Sequence, residues 1–269
     1  MAYEISKANF WGVGGDSYDD EFVYFDKVLE MSERILNVRE LTLRYPTSEK
    51  PVIDKISFDV EVDERVALIG ANGAGKTTLM LSLVGIVPHT GVIEWKGIRL
   101  ERKTAAQIRR EIGFVFQTPD EQLFSPTIRD DLAFGLENMG CSEAEIREHV
   151  EEWLSRFKLE AFADRSAHAL SGGEKRMAAL AAVLCMSPKL LLLDEPTAFL
   201  DACSRRRLES ALLDLPQARI ISTHDIGFAY RMCSRAILLR DGHMVADGPC
   251  ETLFRDRALM ASCGADWLD

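Results

Sequence analysis

RVALIGANGAGKTTLMLSLV, residues Arg65 to Val84, opens as a short apolar run, passes through glycines, a lysine and two threonines, and then turns helical. Gly70, Gly75, Lys76 and Thr77 fill the spacing G-x-x-x-x-G-K-[ST]. In that spacing small residues let consecutive backbone N–H groups curl around phosphate oxygens. Lys76 offers a point charge to the outer phosphates, Thr77 an oxygen for Mg²⁺, and the helix through Leu79, Met80, Leu83 and Val84 aims its positive end at the anion. A single polyanionic ligand accounts for every residue type in the stretch. Gly12, Gly14 and Gly15 fall in no such spacing, precede no helix signal and read as a flexible turn.

Working outward, 269 residues are enough for one large or two modest domains. A net charge of −11 and a pI near 5.1 give no basic footprint for DNA or RNA, so nucleic acid is not an expected partner. The longest apolar run, Met177 to Met186, is about half of what a bilayer span needs. The start has neither a basic region nor an apolar signal core, which points to the cytosol and, for any work at a membrane, to another protein there. Six cysteines (Cys141, Cys185, Cys203, Cys233, Cys250, Cys263) are scattered without a C-x-x-C pair and read as reduced thiols.

Residues 1–34 are set apart by composition. The first thirty hold seven acidic residues against Lys7 and Lys27, together with Tyr3, Phe10, Trp11, Tyr18, Phe22, Tyr24 and Phe25. Acid excess argues for disorder and aromatic content for packing or binding, and both readings stay open. Met31 is an expected alternative translation start, because the domain pattern, 35–269, begins just after it.

From Ile35 the chain becomes strand-like, over Ile35 to Leu43 and again over Ile53 to Val62, where Ile56, Phe58, Val60 and Val62 alternate with polar residues. Gly91 to Leu100 predicts a hairpin turning at Lys96-Gly97. These segments make an antiparallel layer beside the nucleotide strand. Phe114 to Phe116 predicts a short strand ending at Gln117. A helical subdomain over about 127–170 follows, with a capping box at Ser142 and Glu145 and Ile146, Val150, Trp153, Leu154 and Phe157 on one face. The second half alternates: helix Ser171 to Met186, strand Leu190 to Leu193, helix Cys203 to Leu213, strand Ile220 to Ser222, helix Ile226 to Cys233. Continuously apolar strands of this kind suit a parallel sheet covered on both faces. A hairpin on Asp241-Gly242 and a helix over Glu251 to Leu259 complete the chain.

Leu190 to Leu193 deliver Asp194 and Glu195 to a strand end. Two adjacent carboxylates there can divide the labour, Asp194 holding the metal and Glu195 polarising an attacking water. A solvated acidic strand end is the plainer alternative. His224 ends a further short strand, and a single histidine there carries little weight alone. Ser171-Gly172-Gly173-Glu174 is a capping box with glycines inside it.

Leu170 to Arg176, LSGGEKR, lying between the phosphate loop and the acidic strand end, gives the set its meaning. The chain resembles an ATP-binding cassette (ABC) ATPase, an α/β P-loop NTPase with a mainly parallel core, an antiparallel β layer and an inserted helical subdomain. The resemblance runs from about Ile35 to about Gly248. It implies Tyr45 as adenine platform and GANGAGKTT as Walker A, with Gly70, Asn72, Gly73, Ala74, Gly75, Lys76, Thr77 and Thr78 around the nucleotide. It implies Gln117 as the Q-loop residue acting in catalysis and on Mg²⁺, LSGGE as signature, LLLLDE as Walker B, Asp201 in the D-loop and His224 as switch histidine. Glu174 stands where Gln is more usual, and Phe199 where a small residue is. The resemblance further implies a head-to-tail dimer with ATP between one chain's Walker A and the other's signature, the second chain being a copy or a paralogue.

FQTPDEQLFSPTIRDDLAFG, Phe116 to Gly135, is similar to the segment after the Q-loop in ATPases of energy-coupling-factor importers, including cobalt and nickel types, where a short helix receives the membrane subunit. Gln122, Leu123 and Phe124 are the expected docking step, an ordinary surface helix being the alternative. The function expected is therefore ATP hydrolysis driving uptake of a metal ion or a vitamin, with Mg²⁺ as cofactor and integral membrane subunits as partners at the cytoplasmic face. A soluble ABC ATPase outside transport, for example in cluster assembly, is the alternative. A purely structural phosphate-binding module fits poorly with Glu195 and His224.

Overall fold

The computed structural model describes residues 34–45 and 50–268. The acidic, aromatic start, its glycine turn and Met31 lie outside the described residues. The elements are strands β1 (Arg34–Leu43), β2 (Ile53–Glu61) and β3 (Arg65–Ile69), helix α1 (Lys76–Leu83), strands β4 (His89–Trp95) and β5 (Ile98–Arg99), helix α2 (Ala105–Arg109) and strand β6 (Ile112–Val115). Helices α3 (Ile128–Met139), α4 (Glu143–Arg156) and α5 (Gly172–Leu184) follow, then β7 (Leu190–Asp194), α6 (Ala202–Leu213), β8 (Ala218–Ser222), α7 (Ile226–Met232), β9 (Arg235–Arg240), β10 (His243–Pro249), α8 (Cys250–Leu253) and α9 (Arg257–Ser262).

Two sheets result. One has the order β2-β1-β4-β5, with β1 against β4 and β4 against β5 antiparallel. The other has the order β10-β9-β3-β8-β7-β6, parallel from β9 to β6 and closed at one edge by antiparallel β10. Period-two alternation explains how the central strands serve both faces. On β3, Val66 and Leu68 join the core shared with the antiparallel sheet and α1, while Ala67 and Ile69 join the core shared with the helices after β6. On β7, Leu190 and Leu192 point one way and Leu191 and Leu193 the other. Both hairpins turn as expected: Lys96-Gly97 (φ 47°, 76°) and Asp241-Gly242 (φ 49°, 79°) have paired positive φ angles, matching the twist of the strands they join.

Helices α3, α4 and α5 each start with a complete capping box, Thr127/Asp130, Ser142/Glu145 and Ser171/Glu174. The apolar face of α4 is buried at Val150, Trp153 and Leu154, with Phe157 just beyond its end. Three expectations need correction. β6 runs over Ile112–Val115, because Gly113 lets it lie against α5; a Cβ there would sit 2.3 Å from Val183 Cγ1. The C-terminal helix is two short pieces, since Asp256 leaves the helix to accept the Leu259 N–H and cap α9. Leu123, expected on the surface beside Phe124, is buried in the helical core. Among the described residues, no helix is long and apolar enough to cross a membrane.

Candidate functional site

The parallel strands β3, β7 and β8 end at one edge of the sheet, the crevice where open α/β sheets bind ligands. A cavity of about 1010 Å³ opens there. It is lined by Gly70, Asn72, Gly73, Gly75, Lys76, Thr77, Thr78, Gln117, Asp194, Glu195 and His224, so residues from four distant motifs meet. The loop needs its glycines for different reasons. A Cβ on Gly70 would lie 2.5 Å from the Leu239 carbonyl, and Gly75 has φ +98° with Ile53 Cδ1 only 2.7 Å from where a Cβ would stand. Gly75 is also the N-cap of α1 and has no side chain to occupy the first-turn N–H groups, which leaves them for an anion. Ala74 is buried behind the loop rather than lining the cavity.

Lys76 folds back so that Nζ donates to the carbonyls of Gly70 (2.7 Å) and Ala71 (3.2 Å). Burial lowers its pKa, opposed by the charges of Glu195 and Asp194. Thr77 Oγ1 donates to Asp194 Oδ2 at 2.7 Å, and Ser222 Oγ donates to Asp194 Oδ1. Ser222 faces Asp194 because the register of β7 on β8 pairs them. That 3 % exposed carboxylate is thus held by two hydroxyls, which makes its burial tolerable. Glu195 has φ +42°, an uncommon conformation for a side chain of its size and a cost of about 1–3 kcal/mol. The bend keeps its carboxyl on the cavity, 7 % exposed, with Oε2 2.9 Å from His224 Nδ1.

Gln117 is placed by an arginine that sequence reasoning passed over. Arg176, 1 % exposed, reaches from α5 to donate to the carbonyls of Phe116 and Gln117, and burial pushes its guanidinium down to about 10. It stood within the quoted LSGGEKR stretch, but sequence spacing alone does not say that it turns inward. Ser222, two residues before His224, was equally visible and equally unassigned.

Other predicted residues lie elsewhere. The Tyr45 hydroxyl is 3.3 Å from Thr78 Oγ1, at the side of the loop helix. Ser171, Gly172, Gly173, Glu174 and Asp201 do not line the cavity. Gly173 packs against α6, where a Cβ would come within 2.2 Å of Ser204 Oγ. Asp201 caps α6, Oδ1 accepting from the N–H groups of Cys203 (2.8 Å) and Ser204 (3.0 Å) and Oδ2 from Ser204 Oγ (2.8 Å). Phe199, at φ +62° and 91 % exposed, stands on the cavity rim.

The donors fit Mg²⁺. Thr77 and Asp194 supply hard oxygens within one hydrogen bond of each other, and Gln117 borders the same space. Among the described residues there is no group of three or more His, Cys, Asp or Glu that could cage a metal. Mg²⁺ needs no such cage, since it binds through one or two protein oxygens plus substrate phosphates.

Comparison with known proteins agrees with this geometry. The ABC transporter family profile matches residues 53–198. An ATP-binding protein assigned to an ABC transporter in Geobacter sulfurreducens is 42 % identical over 234 residues, covering 87 % of this chain and 94 % of the relative. The energy-coupling factor transporter ATP-binding protein EcfA of Methanothermobacter thermautotrophicus is 40 % identical, covering 84 % of this chain and 74 % of the relative. Among solved structures, cbiO1 from Clostridium perfringens, part of the ABC transporter complex cbiONQ, superposes with TM-score 0.75 at 34 % identity, over 85 % of this chain and 94 % of that one. The ATP-binding cassette MJ0796, solved as a dimer after hydrolysis with ADP and Pi, has TM-score 0.72 at 26 % identity, over 80 % and 99 % of the two chains. This chain belongs to the ATP-binding family of ABC transporters. It is an ATP-binding, ATP-hydrolysing subunit of the P-loop fold, with relatives among energy-coupling-factor ATPases.

Proposed function

We propose that the chain powers an importer of the energy-coupling-factor type, hydrolysing ATP at the cytoplasmic face of a membrane to drive uptake of cobalt, nickel or a vitamin through separate membrane subunits. In this reading the domain is 35–269, with its helical part at about 127–170. Tyr45 stacks on adenine, and the loop N–H groups and Lys76 hold the phosphates. Thr77, Gln117 and Asp194 hold Mg²⁺, which supplies charge neutralisation at the phosphates. Glu195 accepts a proton from the attacking water, and His224, hydrogen-bonded to Glu195, fixes its direction. Ser171, Gly172, Gly173, Glu174 and Asp201 face a second ABC ATPase chain, copy or paralogue. Their position outside the cavity supports that division.

The observation that carries the importer reading is a second cleft, of about 630 Å³, on the segment following Gln117. Phe124 (64 % exposed) and Phe134 (45 % exposed) stand in it edge to face, centroids 4.9 Å apart, above Met139 and Met186. Asp131 Oδ1 takes the N–H groups of Phe124 (3.0 Å) and Ser125 (2.9 Å), fixing the backbone so that Phe124 points outward. Gln122 turns in, Nε2 donating to the Ala179 carbonyl at 2.6 Å. With Leu123 buried, the expected three-residue step reduces to Gln122 and Phe124 on the cleft, joined by Phe134 from α3. Replacing both phenylalanines by Ser is expected to abolish co-purification with the membrane subunits and transport in vesicles while the isolated chain keeps its ATPase rate. Transport unaffected by the double substitution would remove the importer reading.

A further inference from the structure

Helix α6, which starts at Asp201, is joined by ion pairs to the residue after His224 and to α7. Arg205, on the first turns of α6, pairs with Asp225, the residue after His224. It also lies 3.5 Å from Glu209 on its own helix. Glu209 in turn accepts from Arg231 of α7 through Nη2 at 2.6 Å and Nε at 3.3 Å. Asp225 has a second duty, because its Oδ1 accepts the Phe228 N–H at 2.9 Å and caps α7. The turn carrying His224 is thus tied on one side to α7 and on the other to α6, whose own start is set by the Asp201 cap. Arg205 and Asp225 both border the cavity that contains Glu195.

We propose that Arg205 is a positioning residue for hydrolysis: by pairing with Asp225 it keeps the His224 turn in register with the helix that begins at Asp201, and so keeps His224 on Glu195. The physical case rests on what otherwise restrains that histidine. Its side chain is 71 % exposed, and it meets Glu195 Oε2 twice, with Nδ1 at 2.9 Å and with its backbone N–H donating at 3.4 Å. The Thr223 N–H on the Leu68 carbonyl (3.3 Å) and the Asp225 N–H on Thr223 Oγ1 (3.1 Å) fix the backbone of the turn but not the direction of the exposed ring, and small misplacements of reacting groups cost large factors in rate. Arg suits the task better than Lys, since its planar fork can meet Asp225 with one nitrogen while another faces Glu209. The arrangement also gives the chain a route by which pressure on the D-loop, from a second ATPase chain seated against Phe199 and Asp201, reaches the hydrolytic pair through α6. This inference rests on Glu195 and His224 acting as proposed above.

The test compares Arg205→Ala, Arg205→Lys, Asp225→Asn and the double variant Arg205→Ala/Asp225→Asn in steady-state ATP hydrolysis. Asn keeps the α7 cap while removing the charge. Each single charge-removing variant is expected to lower kcat about tenfold with KM for ATP within about twofold, and the double variant to be no worse than either, as for two halves of one interaction. Arg205→Lys is expected to recover part of the loss, with melting temperatures unchanged across the set. A raised KM with kcat retained would mean that Arg205 meets the nucleotide directly, and losses that multiply in the double variant would mean that the two residues act separately. Either result, or an unaltered kcat, overturns the proposal, as does failure of both Arg205→Ala and Asp225→Asn to fold, which would make the pair structural. Glu195→Gln is the independent control: full hydrolysis by that variant would remove the catalytic reading itself, whereas its loss beside normal Arg205 variants would remove only the positioning role.

Discussion

Two helices of this chain start at sites expected to meet the same nucleotide, and they begin in opposite ways. Helix α1 starts on Gly75, which has no side chain to offer, so its first-turn N–H groups are left for a ligand and Lys76 stands beside them. Helix α5 starts on Ser171, whose hydroxyl accepts from Glu174 N–H while the Glu174 carboxylate accepts from Ser171 N–H (2.8 Å) and Oγ (2.7 Å). The first start has no side-chain cap, whereas the second caps the N–H groups of Glu174 and Ser171 from within its own sequence. A dipole points out of each, but only α1 is built into a deep cavity.

The sharpest way to break that contrast is to remove the charge from the uncapped start. Lys76→Ala is expected to reduce ATP hydrolysis by about 10²- to 10³-fold while leaving the melting temperature of the nucleotide-free protein close to wild type, because Lys76 is held there only by two backbone carbonyls. Measured ATPase within a few-fold of wild type would show that the cavity at α1 is not where phosphate is handled. At the other start, Ser171→Ala removes the cap. A loss of about 0.5–2 kcal/mol in chemical denaturation is expected, with nucleotide binding to the isolated chain unchanged. Weakened binding by the isolated chain would place Ser171 in the same cavity as Lys76 and erase the distinction.

How much of this could be read beforehand follows the range of the interactions. The strand–loop–helix at Arg65–Val84, the capping boxes and the hairpin turns are decided by residues within a few positions of one another, and all stand where expected. The convergence of Lys76, Asp194, Glu195 and His224 was legible because parallel strands must end together. Contacts between elements were not. Leu123 and Phe124 are neighbours of similar hydrophobicity, yet a one-turn 3₁₀ segment at Pro119–Glu121 and the hold of Asp131 send one into the core and the other into solvent. Arg176, Ser222 and Arg205 look like ordinary polar residues until the sheet register and helix packing bring a carbonyl or a carboxylate to each of them.

The smallest expected effect concerns the charge inside the capped start. The Ser171 hydroxyl, and after it the Ser171 N–H, hold the Glu174 carboxyl below the usual carboxylate range. A carboxyl whose folded pKa is depressed stabilises the fold fully above its unfolded value, about 4.3, and that contribution is lost as pH falls through the folded pKa. Glu174→Gln keeps an acceptor for both donors but cannot titrate. Above about pH 5 the melting temperatures of wild type and variant should therefore run parallel, and as pH falls below about 4.3 the wild type should lose ground relative to the variant. The gap stays small, because solvent screens a carboxyl at the surface. Differential scanning calorimetry at several pH values between 3 and 7 measures it. Curves that stay parallel down to pH 3 would mean that the carboxylate is not bound to the cap in solution. In that case the Ser171 hydroxyl alone caps α5, through the Glu174 N–H, and the contrast with the uncapped α1 rests on that one bond.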